Sequence, residues 1–165
     1  MKLNSLGDLY VTELKDLYNG EQLILKALPK MMENASSSDL RNAFQEHLGQ
    51  TRQQVERLEK IFQQLDESPK GQKCKGLEGI IDEGEDIMDK DAPPAVRDAA
   101  LISSAQRVEH YEIAGYGTVR TYARRLGFED QAQLLNETLQ EEGATDKKLT
   151  DLAESYINEE AKTAR

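Results

Sequence analysis

The chain has 165 residues, enough for one domain with a full core and no disulfide staples. Acidic residues outnumber basic ones 31 to 21, and the net charge of -10 repels phosphate backbones and anionic membranes, so nucleic acid and membrane partners are disfavoured. Cys74 is the only cysteine, which excludes an internal disulfide and CxxC metal motifs, and no run has the length of a signal peptide or a membrane span, so a cytoplasmic address is expected.

Strand signals are nearly absent, and apolar residues recur at helical spacing through four long segments. The first helix is predicted over about residues 8–33. Ser5 and Asp8 form a capping-box pattern at its start, and Pro29 should bend its last turns. Ser36, Ser37 and Ser38 make a short turn and offer the N-cap of a second helix, over about 38–67. The crossover at about 68–93 opens with SPKGQK and carries a short amphipathic helix, Leu77 to Met88. Pro93 and Pro94 suit the first turn of a third long helix, about 94–126, which Gly127 should stop. The fourth helix is predicted over about 129–159, with the closing EEAKTAR frayed. Short turns force antiparallel hairpins, and the long crossover lets the third helix run parallel to the second. The expected fold is therefore all-α: one four-helix-bundle domain of two antiparallel hairpins, with an extra short helix in the crossover.

Each long helix has an apolar seam, and each seam is broken near its middle by metal-capable residues. In the first helix Glu21 lies one heptad from both Leu14 and Leu28. In the second, Leu40, His47, Gln54 and Ile61 share one track, and Gln50 faces the same way between His47 and Gln54. In the third, Glu112 lies on the track of Ala105, Val119 and Leu126, with Glu109 beside it. In the fourth, Glu142 lies between Leu135 and Leu149, with Asp146 one turn on. Antiparallel partners at equal distance from a shared turn meet at one height. Glu21 precedes its turn by about 12 residues, roughly 18 Å of helix, and Gln50 follows it by about as many. Glu112 and Glu142 flank theirs at about 14 residues each, roughly 20 Å. Buried unpaired carboxylates are strongly unfavourable, and cations are the simplest remedy. The expected metal layer is thus Glu21, His47, Gln50, Glu109, Glu112, Glu142 and Asp146. Oxygen donors with one imidazole suit iron or manganese better than zinc or copper. Tyr18, Tyr111 and Tyr116 are candidates to hydrogen-bond near such a layer, although such tyrosines are more often core packing with a satisfied hydroxyl. His110 should face away from the layer, and Cys74 is expected to be an ordinary thiol.

The stretches ELKDLYNGEQLILKALPKM, HLGQTRQQVERLE, VRDAALISSAQRVEHYEIAGYGT and ETLQEEGATDKKLTDLA resemble the YciF-type family of ferritin-like bacterial proteins and span nearly the whole chain. The resemblance implies a ferritin-like fold, a rubrerythrin-like di-metal centre, a homodimer and a link to stress responses. By position, Glu21, Glu109, Glu112, Glu142 and Asp146 match the metal carboxylates, with His47 on the second helix. The family often has Glu where this chain has Gln50. A neutral amide there is a poorer ligand and removes one negative charge from the layer. No Glu-x-x-His occurs in the chain, unlike the usual inventory of di-metal bundles. The expected cofactor is two iron ions, with manganese the alternative. The function expected first is Fe(II) oxidation or peroxide handling. The second is a non-catalytic structural or regulatory bundle with a vestigial or stability-only metal site. Bulk iron storage ranks third, since it needs a multi-subunit cage.

Overall fold

The computed structural model describes residues 3–164, and every regular element among them is helical. Helix α1 (Leu6–Asn34) begins where the Ser5 hydroxyl accepts from the Asp8 amide at 3.1 Å. Asp8 reaches back to the amide of Asn4, at 2.9 Å, one residue earlier than a capping box requires. The helix passes through Pro29 and ends at Asn34. Helix α2 (Ser38–Gln64) is capped by Ser37, and α3 (Lys75–Met88) is the short crossover helix. Helix α4 (Pro94–Arg125) opens on its proline and is closed by Gly127, whose φ of 80° lies in the left-handed region. Helix α5 (Glu129–Leu152) does not fray at Glu159. It passes through one π-helical turn (Ala153–Ile157) into α6 (Asn158–Thr163), and the buried Ile157 holds this extension against the core. Arg165, part of the expected frayed end, lies outside the described residues.

Side-chain pairings give the helix directions. Lys15 meets Glu67 and Tyr18 meets Glu59, so α1 and α2 run in opposite senses. Arg120 meets Asn136 and Gln106 meets Thr150, so α4 and α5 do likewise. Arg57 meets Glu141 and Lys148 meets Glu46, which sets α2 against α5. Gly115 lies against Leu17, and Asp98 binds the turn just after α1, so α4 runs opposite to α1. The long Tyr111 and Tyr116 side chains reach Asp16 and Glu21 across this seam. Helix α3 lies across α1 and α4. Its contact with α1 depends on Gly20: a Cβ there would come within 2.4 Å of Leu77, itself fully buried.

The α1–α2 turn is anchored from across the bundle. The amides of Ser36 and Ser37 donate to the two oxygens of the buried Asp98 carboxylate on α4, both at 2.7 Å. A carboxylate bonded to amides at a helix N-terminus is a charge-assisted cap. Removing it leaves two donors without partners, so Asp98→Ala should destabilise the protein by about 1–3 kcal/mol in urea unfolding. Asp98→Asn should recover part of that loss.

The apolar interior is divided. One cluster gathers Ile24, Leu28, Phe44, Leu77, Leu101 and Leu149, and the other Leu14, Leu58, Ile61, Tyr116, Val119 and Leu135. The buried polar residues Glu21, His47, Thr51, Gln54, Glu109, Glu112 and Glu142 separate the two. Among the described residues, no helix is long and apolar enough to cross a membrane.

Candidate metal centre

Each of the four long helices sends at least one chemically active side chain into this dividing layer: Glu21 from α1, His47 from α2, Glu109 and Glu112 from α4, Glu142 from α5. All are 3 % exposed or less. Helical repeat explains the convergence, since each occupies a position on its helix that leucine, isoleucine or valine holds one heptad before or after.

One donor atom each from His47, Glu109, Glu112 and Glu142 lies within 4.8 Å of every other. His47 Nε2 is 3.1 Å from Glu109 Oε1 but is not aligned as a hydrogen bond. Glu21 faces Glu112, Glu142 and His47 from the fourth side and accepts a hydrogen bond from the Tyr116 hydroxyl. Gln54 Nε2 donates to Glu142 and, at 3.0 Å, to Glu141. Glu141 is gripped by Arg57 through two contacts of 2.7 Å, so the amide bridges a half-buried ion pair and the buried carboxylate.

Burial is the main force on the charges. It pushes Glu21 up to about 8 and Glu109 to about 7, and the neighbouring carboxylates add to it. Glu112 and Glu142 are raised well above the usual carboxylate range for the same reasons. With the carboxyl groups ionised, several polar atoms here have no hydrogen-bond partner among the described residues: Glu21 Oε2, Glu109 Oε2, both oxygens of Glu112, Glu142 Oε2 and both ring nitrogens of His47. A retained proton would let Glu21 pair with Glu112 and Glu109 with Glu142. Buried polar atoms are rarely left so, and one donor atom each of His47, Glu109, Glu112 and Glu142 gathers in a single cluster, with Glu21 in electrostatic contact with it. Four carboxylates and an imidazole so arranged fit divalent or trivalent cations of the iron or manganese type.

Two expected residues lie outside the four-donor cluster, although the Asp146 charge still helps to raise Glu109. The Gln50 side-chain oxygen accepts from Thr145 at 3.3 Å at the α2–α5 seam. The Asp146 carboxylate meets Gln106 Nε2 at 3.1 Å and His110 Nε2 at 3.2 Å, on the outer side of the α4–α5 seam. Gln50 lies about 60° around α2 from His47, and Asp146 about 40° around α5 from Glu142, so both side chains emerge toward the seam. Gln54 is the amide of α2 that reaches the layer. Its place on the His47 track was the available signal for it. Tyr116 is the tyrosine that reaches the layer, while Tyr18 bonds Glu59 and Tyr111 bonds Asp16.

Cys74 is fully buried, with Sγ 3.0 Å from Asp16 Oδ2 and 3.3 Å from Tyr111 Oη. Burial and the Asp16 carboxylate push its thiol up to about 11 from 9.0. Lys73 and Lys75 therefore do not make it a thiolate. A thiol this much weaker as an acid carries about 100-fold less thiolate at neutral pH. Alkylation of the native protein should be at least that much slower than in denaturant, as followed by mass spectrometry.

An all-helical protein with a buried layer of carboxylates and one imidazole is the class that the fold and site define. The chain belongs to the family described as "Domain of unknown function (DUF892)", whose model matches residues 5–162. It is 42% identical over 162 residues to protein YciF of Escherichia coli strain K12, covering 98% of both chains. The crystal structure of that protein, described as a stress protein, matches with a TM-score of 0.90 over 94% of this chain and 98% of the other. YcfI of Rhodopseudomonas palustris, described in terms of a structural role, is 41% identical with a TM-score of 0.88, over 90% and 95% of the two chains. A two-domain protein of Anabaena variabilis with a ferritin-like domain matches at 18% identity and a TM-score of 0.61, over 94% of this chain and 38% of that one, a likeness of fold alone.

Proposed function

We propose that the chain is a ferritin-like di-metal carboxylate protein, with iron as the first choice and manganese as the second, acting in Fe(II) oxidation or peroxide handling under stress. The helix pairings support the finer fold reading: hairpins α1–α2 and α4–α5, joined by the α3 crossover so that α2 and α4 run in the same sense. The single observation that carries the functional reading is the set of inward-facing carboxylate and imidazole atoms without protein partners. His47, Glu109, Glu112 and Glu142 would hold one ion. Glu21, beside Glu112, would hold the second, and Glu112, with both oxygens unpartnered, is the natural shared ligand.

The chain's own groups have distinct tasks. Tyr116 fixes one oxygen of Glu21, and Gln54 fixes one of Glu142, so each carboxylate keeps a single defined face toward the layer. Arg57 and Glu141 hold Gln54 in place from the surface. The apolar clusters above and below exclude water and hold the layer rigid. A bound metal pair would supply redox chemistry, one electron per ion. The stress association comes from the description of the Escherichia coli relative, and the homodimer and cytoplasmic address are part of the same proposal.

Protein purified without chelators and analysed for elements should carry close to two metal ions per chain. Anaerobic Fe(II)-loaded protein should show a fast absorbance change on mixing with oxidant. Well below one ion per chain, with melting unchanged on metal addition, would contradict it.

One observation favours a second reading, a structural bundle. Tyr116 and Gln54 already satisfy part of Glu21 and Glu142, and burial favours the protonated carboxyls, so a protonated layer can persist without metal. In that case metal addition leaves the melting temperature in place at every pH.

A further inference from the structure

A cavity of about 30 Å³ lies beneath α3, between α1 and α4. Its outer wall is half-buried: Ile80, Ile81 and Met88 of α3, with Glu85 at the rim paired to Lys30 of α1 at 2.5 Å. Its inner wall is buried and apolar, built from Ile24, Leu28, Leu101 and Ala105. At its inner end lie His47 and Glu109, two members of the carboxylate–imidazole group. The cavity therefore leads from the crossover helix to one flank of that group.

Size and lining restrict what fits. One water-sized position takes about 10–15 Å³, so the space holds two or three of them. That admits a molecule of a few heavy atoms. Ser104 Oγ is the one hydroxyl in the lining and has no partner among the described residues. Elsewhere the wall is almost entirely hydrocarbon. Hydrogen peroxide, with two donors and several acceptor sites, would give up most of its hydrogen bonds along the hydrocarbon stretch before it reached His47 and Glu109 at the inner end, whereas an apolar diatomic loses none. Cations are excluded by the same wall.

We propose that this cavity is the entry for a small uncharged apolar oxidant, of which dioxygen is the abundant example, and that the oxidant used at the His47–Glu109 side is dioxygen rather than peroxide. This rests on the di-metal reading above and narrows its choice of oxidant.

Xenon is the probe, because it is apolar and similar in size, and its binding requires no metal. Metal-free crystals under xenon pressure should show one site bounded by Ile24, Ile81, Leu101 and Ala105. Filling the space with Ala105→Leu should abolish it, and Ala27→Leu at the cavity wall is the second variant if the first fails to fold. In Mn(II)-loaded protein, relaxation of bound xenon-129 should be strongly enhanced by the nearby ion and lost in the same variants. With Fe(II), the variants should slow the dioxygen reaction at least tenfold and change the peroxide reaction less than twofold. Absence of xenon from this cavity, xenon bound without relaxation enhancement by bound Mn(II), or equal slowing with both oxidants would each overturn the proposal. Xenon binding in a protein that takes up no Mn(II) or Fe(II) overturns the di-metal reading, and the delivery role with it, on separate evidence from the xenon site.

Discussion

Metal-free protein should lose stability as the pH rises from about 4.5 to about 8, and bound metal should reverse the trend. The direction follows from the raised carboxyl groups. Glu21 moves from 4.5 to about 8 and Glu109 from 4.5 to about 7, while Glu112 and Glu142 move the same way. Below the unfolded value both states hold their protons, so the favourable contribution is complete. Between the unfolded and folded values the unfolded chain releases protons that the native layer retains. Stability then falls with pH, because the native state binds more protons. A carboxyl group that is tenfold weaker as an acid in the native state contributes about 1.4 kcal/mol, so the combined effect is several kcal/mol. At about 2–4 °C per kcal/mol for a chain of this size, the melting temperature should drop by about 10 °C or more. Cations displace the retained protons, so metal affinity and the metal-induced rise in melting temperature should both grow with pH over the same window. Calorimetry at pH 5 and pH 8, with and without Mn(II), reads all four states. A metal-free melting temperature that is flat or rising over this range would mean that the layer does not hold its protons.

Glu112→Gln should separate stability from metal binding more sharply than any other single change. Glu112 is fully buried, both of its oxygens lack partners, and Glu21, Glu109 and Glu142 surround it. The amide removes one charge from the crowd and offers two N–H donors to the remaining carboxylates. At pH 8 the wild type must either keep on Glu112 a proton that the unfolded chain releases or bury its charge, and the amide avoids both, which favours the variant by about 1–4 kcal/mol. The metal-free variant should therefore melt above the wild type at pH 8, and by much less at pH 5, close to the ordinary carboxyl value, where the native and unfolded states differ little in bound protons. The same change removes the central anionic ligand. Affinity for Mn(II) or Fe(II) should fall by at least about 100-fold, judging from the 10–100-fold losses usual for groups that merely support ligands. A variant that is destabilised without metal and still binds it normally would place the charge of Glu112 outside the centre.

The helix pattern was legible because it depends on local spacing. Ser5, Ser37, Pro94 and Gly127 mark helix ends as expected, and the seams run through the residues that are buried. The continuation through the π-helical turn to Thr163 was not visible, since Ile157 is held by contacts with the body of the protein and the local EEAKTAR composition reads as a free end. In the site, Glu21, His47, Glu112 and Glu142 sit near the centres of their stripes, where the heptad count is insensitive to small rotations, and Glu109, about 60° from Glu112, lies on the track of the buried Ile102 and Tyr116. Gln50 and Asp146 sit at stripe edges, where a fraction of a turn exchanges the interior for the seam. Gln54 was on the right track, but an amide among leucines and isoleucine carries no charge to draw notice. The surroundings of Cys74 depend on where α3 docks, and its contacts with Asp16 and Tyr111 are made across the crossover, which local spacing does not specify.

The most direct measurement is anomalous diffraction from crystals grown with Mn(II) or, without oxygen, with Fe(II). Two anomalous peaks enclosed by Glu21, His47, Glu109, Glu112 and Glu142 are expected, with none at Gln50. A map with no peak among those five side chains, while the protein remains folded and metal is in excess, would contradict a cation centre in the layer that divides the core.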